Sequence, residues 1–305
     1  MSPNPARATT AGRVFNDLRN MARREGRSTD ELLIFYVLER FLHRLSRSPY
    51  ADRLVLKGGM LLAVLDARRS TRDADLLAIE RDRDEQRVAA WVREIASIDV
   101  DDGVAFMIDR LRARQIREGD LYPGVRLTVP AMIGRARLNL VLDVNFGDPV
   151  TPQVRRADFP QLLQEGTFTI WAYPIETVVA EKLTTMMALG DVNTRDRDWA
   201  DLWRLTRTHD MSGHALRAAL VRTAAHRGRS LRQLSQVVVR LPQLRQDSYT
   251  AWRRSQTAAA LAYPENFADV VRHVITFADP LISDQVGDQH WYAAGRTWGA
   301  HGSAE

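Results

Sequence analysis

Two aspartates separated by a single residue are the first candidates for chemistry in this sequence. Asp73 and Asp75 flank Ala74 in a segment predicted as a strand over residues 73–79. Because side chains alternate along a strand, both carboxylates are expected on one face of a sheet. Carboxylate oxygens placed in this way are suited to binding Mg²⁺ or Mn²⁺. Such pairs are also common on solvated strands, so further residues are needed to predict a metal site.

A third aspartate lies within a strongly apolar strand predicted over residues 135–146. The large apolar residues of this strand alternate on one face, and Asp143 lies on the other face. Burying a carboxylate is costly unless a positive charge meets it. Two sources of that charge are open. One is a metal ion shared with Asp73 and Asp75, and the other is an arginine that pairs with Asp143 on a half-exposed face.

Lysine is rare in this sequence: of 43 basic residues, only Lys57 and Lys182 are lysines. A lysine kept in such a background indicates a position that needs a compact ammonium group rather than a planar guanidinium. Lys57 directly precedes Gly58 and Gly59, and the backbone amides of such a turn can approach a phosphate with no Cβ in the way. Lys182 falls on the apolar stripe of a predicted helix, where it either extends towards solvent or reaches a phosphate.

Helices and strands alternate in the first half of the sequence, which predicts a mixed α/β domain. Ser28 and Glu31 are spaced as a capping box that opens an amphipathic helix. A short buried strand follows at 54–56, and the glycine turn leads into a brief helix at 60–67. After a polar loop, the remaining predicted elements are a strand at 73–79, a helix at 83–96 and strands at 104–114, 124–133 and 135–146.

The second half of the sequence is predicted to be mainly helical, after proline-containing turns at 148–160. Pro174 opens one helix, and Asn193 or Thr194 caps another whose first turn contains Asp198. An aspartate at that position is favoured by the helix dipole alone. The predicted organisation is a disordered tail over 1–12, a mixed α/β domain over 13–155 and a helical domain over 156–305.

Composition and charge limit the function classes. The 305 residues, of which 45% are hydrophobic, are typical of a globular protein. Cysteine is absent, which excludes disulfides and cysteine-based zinc sites and fits a cytoplasmic protein. We expect neither a signal peptide nor a membrane span, because no apolar run approaches about 20 residues. Residues 195–254 contain thirteen arginines, five aspartates and no glutamate, a formal charge of +8. This charge indicates a polyanionic partner, although arginines also serve simply to solvate helix faces.

Several short motifs occur in one order, and as a set they resemble a known family. The motifs are Leu56-Lys57-Gly58-Gly59, Thr71-x-Asp73-x-Asp75-Leu76, Asp143 with Phe146-Gly147-Asp148, Glu176 with Ala180-Glu181-Lys182, and Arg195-x-Arg197-Asp198-x-x-Asp201. The glycine turn and the three aspartates resemble polymerase-β-type nucleotidyltransferases. The full set, over residues 30–210, resembles the AbiEii/AbiGii nucleotidyltransferase toxin family, which includes the MenT toxins. Arg197 stands where the family usually has lysine, which leaves its role open.

The resemblance implies roles for individual residues. It assigns Mg²⁺ or Mn²⁺ to three catalytic carboxylates: Asp73, Asp75 and Asp143. It assigns the nucleoside triphosphate to Lys57, Gly58, Gly59, Thr71, Lys182 and Arg195. The resemblance also places Lys182 and Asp198 among the catalytic residues, with Asp198 positioning Lys182 or the nucleotide. Some family members are silenced by phosphorylation of a hydroxyl near the paired aspartates, and the candidates here are Ser70 and Thr71.

The resemblance also implies a reaction and its partners. A nucleoside monophosphate would be transferred from a nucleoside triphosphate to RNA, at the 3′ end of tRNA. The tRNA could then not be aminoacylated, and translation would stop. The expected protein partner is a co-encoded antitoxin. Two other functions remain open: a transferase of the same fold that modifies a protein or a small molecule, and a nucleic-acid-binding protein without catalysis.

Overall fold

The computed structural model of the protein describes residues 8–79, 84–118 and 122–300. The chain forms two compact units. The first consists of Met1–Val64, Arg68–Gly147 and Arg155–Ala172. The second consists of Leu65–Ala67, Asp148–Val154 and Tyr173–Glu305. This division differs from the predicted boundary at 155/156, because the segment after residue 155 returns to the first unit.

The first unit begins with two helices, α1 (Thr10–Glu25) and α2 (Thr29–Ser46). The Thr9 hydroxyl caps α1 by accepting from the Gly12 amide, so residues 10–12 are helical rather than part of a tail. Residues 1–7 of the predicted tail lie outside the described residues. Helix α2 begins where predicted, but its capping box does not form. Ser28 makes no side-chain cap, and Glu31 pairs with Arg27 instead.

The strands of the first unit form one mixed sheet. In chain order they are β1 (Leu54–Lys57), β2 (Ala74–Ala78), β3 (Val104–Phe106), β4 (Arg112–Glu118), β5 (Tyr122–Ile133), β6 (Ala136–Phe146), β7 (Arg155–Pro160) and β8 (Thr167–Ala172). Their order in the sheet is β3-β5-β6-β2-β1-β8-β7, and β4 also pairs with β5. The β2–β6 and β1–β8 pairs are parallel, and the other pairs are antiparallel. The predicted fold class, mixed α/β followed by a mainly helical part, is confirmed.

Two local predictions in this unit are wrong in extent. The brief helix α3 (Gly58–Leu61) begins two residues before the predicted helix at 60–67 and ends at Leu61 rather than at residue 67. The strand predicted at 104–114 is two strands, β3 and β4, because a 3₁₀ turn at Ile108–Arg110 interrupts it. The helix α4 (Glu85–Ala96) forms as predicted within the described residues, with the expected apolar residues buried: Val88, Ala89, Trp91, Val92 and Ile95.

One face of this sheet carries the core. Helices α1, α2 and α4 contact strands β5, β6 and β4, respectively. The residues that fill this side are fully or almost fully buried, among them Leu127, Val129, Leu140, Leu142 and Val144. On β5 the alternate residues from 126 to 132 are half-exposed. The side chains at these positions of β5, and those paired with them on the neighbouring strands, therefore lie on the other face of the sheet.

The second unit is mainly helical, as predicted. Its helices are α5 (Ile175–Leu189), α6 (Asp196–Thr208), α7 (Gly213–His226), α8 (Leu234–Val237), α9 (Leu241–Ser255) and α10 (Phe267–Ile282). A small antiparallel sheet was not predicted; its strands are β9 (Met211–Ser212), β10 (His290–Tyr292) and β11 (Thr297–Gly299). Trp291 of β10 is fully buried and donates to the Thr206 carbonyl, so this sheet belongs to the core of the unit.

Candidate active site

Four charged residues lie side by side across the centre of the large sheet. Lys57 pairs with Asp75 across β1 and β2, and Asp75 pairs with Asp143 across β2 and β6. Asp143 pairs in turn with Arg126 across β6 and β5. Directly paired residues project from the same face, with Cβ atoms about 5 Å apart. We call these four residues the charge row. Its signs run positive, negative, negative, positive.

A bidentate ion pair between Arg126 and Asp143 joins β5 and β6. The Arg126 Nε donates to Oδ1 at 2.7 Å, and Nη2 donates to Oδ2 at 2.5 Å. The hydrogen bond to Asp143 raises the pKa of Arg126 above its usual range. An arginine was one of the two predicted sources of positive charge for Asp143, and the structure provides it. Arg126 was not identified as a site residue from the sequence, because the sequence of β5 alone does not indicate which residue of β6 lies opposite it.

Asp75 is the aspartate of the charge row whose carboxyl pKa is raised. Burial raises the pKa of its carboxyl group to about 6, and the nearby Asp73 adds to this effect. Lys57 opposes the rise in pKa, Asp143 reinforces it, and a hydrogen bond from the Gly59 amide opposes it. Asp73 lies one residue before β2 and is half-buried. The predicted pair of aspartates is therefore assembled beside the third aspartate.

The glycine turn packs directly against these acidic residues. Gly58 has a φ of +64°, and a Cβ on it would lie 1.8 Å from Oδ2 of Asp75. A Cβ on Gly59 would lie 2.5 Å from the Thr71 hydroxyl oxygen. Both positions thus require glycine for space, and Gly58 also requires it for its left-handed backbone. The Gly59 amide, predicted to bind phosphate, donates to Asp75 here.

The loop before β2 holds both predicted phosphorylation sites. Thr71 is buried, and its hydroxyl donates to the Asp73 carbonyl at 3.2 Å and to Oδ1 of Asp73 at 3.3 Å. Ser70 is half-buried, and its carbonyl accepts from Arg69 at 3.1 Å. Modification of Thr71 would require this loop to open, whereas Ser70 is more accessible. Phosphorylation at either residue stays a prediction.

The predicted residues of the second unit form their own ion-paired cluster. The Lys182 Nζ on α5 donates to Asp198 at 2.7 Å and to Asp201 at 2.8 Å, both on α6. Arg195 lies at the N-terminus of α6, with Nη1 3.9 Å from Asp198. Asp198 therefore bonds Lys182, one of the two partners predicted for it, and its catalytic role stays a prediction. Asp201, whose side chain is 1% exposed, is an equal partner of Lys182, although the motif that contains it assigned it no role. Arg197 is exposed.

Comparison with known proteins identifies the family. The model of the nucleotidyl transferase AbiEii toxin family, of Type IV toxin–antitoxin systems, matches residues 40–273, well over half of the chain. The chain belongs to the AbiEii family. Membership confirms the resemblance drawn from the motifs, and it implies a nucleotide substrate and an antitoxin partner. No match was found among curated proteins.

Two solved structures from Helicobacter pylori are distantly similar to this AbiEii protein. One is JHP933, and the other is described as a candidate nucleotidyltransferase. Each is 14% identical with a TM-score of 0.49, and each match covers 85% of this chain. The matches cover 96% and 97% of the two H. pylori chains. A likeness this distant does not assign a function, which rests on the family match.

Nucleotidyltransferases such as the AbiEii proteins generally use divalent metal ions, and the acidic residues fit such an ion in part. Asp73 and Asp75 supply the oxygen ligands that Mg²⁺ prefers, and burial together with the neighbouring Asp73 raises the pKa of Asp75. Asp143 has both oxygens bonded to Arg126. Within the described parts of the chain, no three acidic, histidine or cysteine side chains are grouped closely enough to hold a metal. Two carboxylates, Asp73 and Asp75, therefore fit a divalent ion as they stand, and Asp143 could join them only if its ion pair with Arg126 opened.

Several arginines of the basic stretch of this AbiEii chain, residues 195–254, form ion pairs and hydrogen bonds within the protein. Arg245 forms a bidentate pair with Asp196, and Arg217 donates to the carbonyls of α10. Arg227 and Arg253 likewise donate to backbone carbonyls and pair with glutamates. Much of the excess charge therefore stabilises the second unit. Among the described residues, no helix is both long and apolar enough to span a membrane.

Proposed function

We propose that this protein transfers a nucleoside monophosphate from a nucleoside triphosphate to RNA, at the 3′ end of tRNA as in MenT-type toxins, and thereby blocks aminoacylation and translation. The charge row, with the glycine turn packed against Asp75, is the observation that carries the proposal. It brings an ammonium group, carboxylates and backbone amides together on one face of the sheet. A triphosphate with a divalent ion needs these groups.

In the proposed reaction, the acceptor hydroxyl loses its proton to water and its oxygen bonds to the α-phosphorus. The bond from the α-phosphorus to the bridging oxygen breaks, and pyrophosphate leaves. Lys57 and Thr71 contact the phosphates, and so do the amides of Gly58 and Gly59. In this step the Gly59 amide donates its hydrogen bond to a phosphate oxygen instead of to Asp75.

The acidic residues have the metal-binding roles in this proposal. Asp73 and Asp75 would hold Mg²⁺ or Mn²⁺, and Asp143 would join them if its ion pair with Arg126 opened. When bound, the metal lowers the pKa of the attacking hydroxyl and neutralises charge on the leaving pyrophosphate. The guanidinium of Arg126 is then free to contact a phosphate, which its planar fork suits.

We further assign the Lys182 cluster to the nucleotide. Lys182 and Arg195 contact its phosphates, and Asp198 positions Lys182 through their 2.7 Å hydrogen bond. Asp201 fixes the same ammonium group from a buried position. An ammonium held by two carboxylates has little freedom to reorient, which suits it to a fixed phosphate.

Transfer of label tests this function and identifies the acceptor. The purified protein is incubated with each α-labelled nucleoside triphosphate, Mg²⁺ or Mn²⁺, and a mixture of cellular RNA, proteins and small molecules. We expect label in the RNA, and a loss of at least about 100-fold in the Asp75→Asn variant. The exposed Asp99→Asn is the matched control and should retain activity. Label confined to the protein or small-molecule fraction would identify the other transferase function instead.

Binding of RNA without catalysis is the second candidate function. The Arg126–Asp143 pair favours it, because that pair occupies a carboxylate that a metal-dependent enzyme needs. Growth arrest by the Asp75→Asn variant distinguishes the two. An enzyme loses its toxicity with this substitution, whereas a protein that only binds RNA retains it.

The partner and the location complete the proposal. We place the protein in the cytoplasm, where tRNA is charged, together with a co-encoded antitoxin. Co-expression with the adjacent gene should restore growth, and cell fractionation should recover the protein with the ribosome-free supernatant. Mass spectrometry of the silenced protein tests for phosphate on Ser70 or Thr71.

A further inference from the structure

The large sheet presents one solvent-facing surface on strands β4, β5 and β6. We call it the open face; from the pairing register its members are Arg112, Arg114, Arg126, Thr128, Pro130, Met132, Arg137, Asn139 and Val141. On β5 these positions are half-exposed, and the residues between them are buried against the helices. Asp143 extends the same face into the charge row.

The open face is strongly positive. Arg112, Arg114 and Arg137 are exposed, and Arg110 is exposed in the adjoining 3₁₀ turn. None of these four arginines forms an ion pair with a described residue. The carboxylate residues of β4–β6 are Asp143, which Arg126 neutralises, and Glu118 at the end of β4. A surface of this kind attracts a polyanion along the strands.

A groove at the far end of β5 and β6 adds an apolar element to this charge. Its volume is about 470 Å³, and its lining includes Met107, Arg110, Pro130, Met132, Arg137 and Leu138. That volume lies within the range of about 300–1,000 Å³ typical of small-ligand sites. Thioether and apolar side chains suit the flat face of a nucleobase. The two guanidinium groups can stack on the base or bind its phosphates.

We propose that the open face is the docking surface for the RNA acceptor, with its phosphodiester backbone on the arginines and one base in the groove. The proposal deepens the proposed function, on which it rests for the identity of the polyanion. Asn139 beside the groove is four residues from Asp143 on β6, so about 14 Å separates the groove from the charge row. An RNA strand bound along β6 therefore has its end directed to the proposed site of transfer.

Binding of labelled RNA, measured without nucleotide, tests the docking surface. Fluorescence anisotropy of 5′-fluorescein tRNA is followed over a range of salt concentrations. We expect Arg112→Gln with Arg114→Gln to raise Kd at least about tenfold and to lower the salt slope by about 1.4, the loss of two contacts to single-stranded phosphates. Arg110→Gln with Arg137→Gln should have the same effect.

The controls separate this surface from general charge effects. Arg93→Gln with Arg155→Gln removes two exposed arginines of the same unit away from the open face, and should leave Kd within about twofold. Arg229→Gln with Arg232→Gln tests the basic stretch of the second unit. Larger losses there than on the open face would overturn the proposal. Circular dichroism melts check that each variant is folded.

Transfer assays distinguish failure of the docking surface from failure of the proposed function. In the open-face variants we expect a raised KM for RNA, with kcat at saturating RNA and the KM for nucleotide unchanged. Unchanged RNA affinity in these variants, with transfer abolished by Asp75→Asn, would refute the docking surface and leave the function intact. Lost RNA affinity, with no transfer by the wild-type protein, would refute the function and leave the docking surface intact.

Discussion

Replacing Arg126 with glutamine should destabilise the first unit, because it leaves Asp143 without its bidentate partner. Breaking a fully buried ion pair from one side costs about 3–5 kcal/mol. The side chains of Arg126 and Asp143 are 33% and 13% exposed, so solvent screens part of this cost, and we expect about 1.5–3 kcal/mol. Asp143→Asn should cost less, about 1 kcal/mol or below, because it also removes a charge that repels Asp75.

The two variants and their combination form a double-mutant cycle. Urea unfolding followed by circular dichroism gives each free energy of unfolding, and we expect a coupling energy of about 1–2 kcal/mol between the sites. The exposed pair Asp269 and Arg272, with side chains 45% and 73% exposed, is the control and should couple by no more than about 0.5 kcal/mol. Additivity of Arg126→Gln and Asp143→Asn within about 0.5 kcal/mol would refute the reasoning.

Three further predictions concern the glycine turn and the second unit. Gly58→Ala should destabilise the protein more than Gly166→Ala. Both glycines have positive φ, which adds about 1–2 kcal/mol for alanine, but only at Gly58 does the new Cβ meet another side chain; equal losses in urea unfolding would contradict this. Acid should destabilise the second unit through His273, whose pKa is lowered to about 4, mainly by burial and also by nearby arginines. As the pH falls, the unfolded chain protonates at His273 before the folded chain does, so the stability that neutral His273 contributes is complete above pH 6.5 and is lost as the pH falls towards 4. If the His273→Gln variant has the same pH slope of stability as the wild type, His273 is not the cause. Lys182→Met should lower stability by about 2–4 kcal/mol, since one of its two aspartate partners, Asp201, is almost fully buried; a thermal melting point equal to that of the wild type would exclude this role.

The acidic side of the candidate site could be predicted from the sequence, because it depends on alternation within single strands. Alternation placed Asp143 opposite the buried leucines, and it placed Asp73 and Asp75 together. The partner Arg126 could not be predicted, because it depends on the register between β5 and β6. That register is fixed by the whole length of the pairing, which no short motif contains.

The fold was predictable where an element carries its own signal. The apolar periodicity of α2 and α4 is strong, and both helices form with the expected buried residues. Helix α1 was missed because its mean hydropathy is low, although its sequence is strongly amphipathic and its apolar face packs on α2 and β5. Strands β7 and β8 were not predicted, because the proline-containing turns near them resemble a linker; the pairing of β8 with β1 joins this segment to the sheet.

The position of β8 has a consequence for synthesis of the chain on the ribosome. Strand β1 is completely buried, yet its second neighbour in the sheet is made more than a hundred residues later. A nascent chain that stops before residue 172 exposes an apolar strand edge of the kind that recruits other chains. Translational pausing in this interval should therefore yield aggregates or chaperone complexes rather than an active toxin fragment.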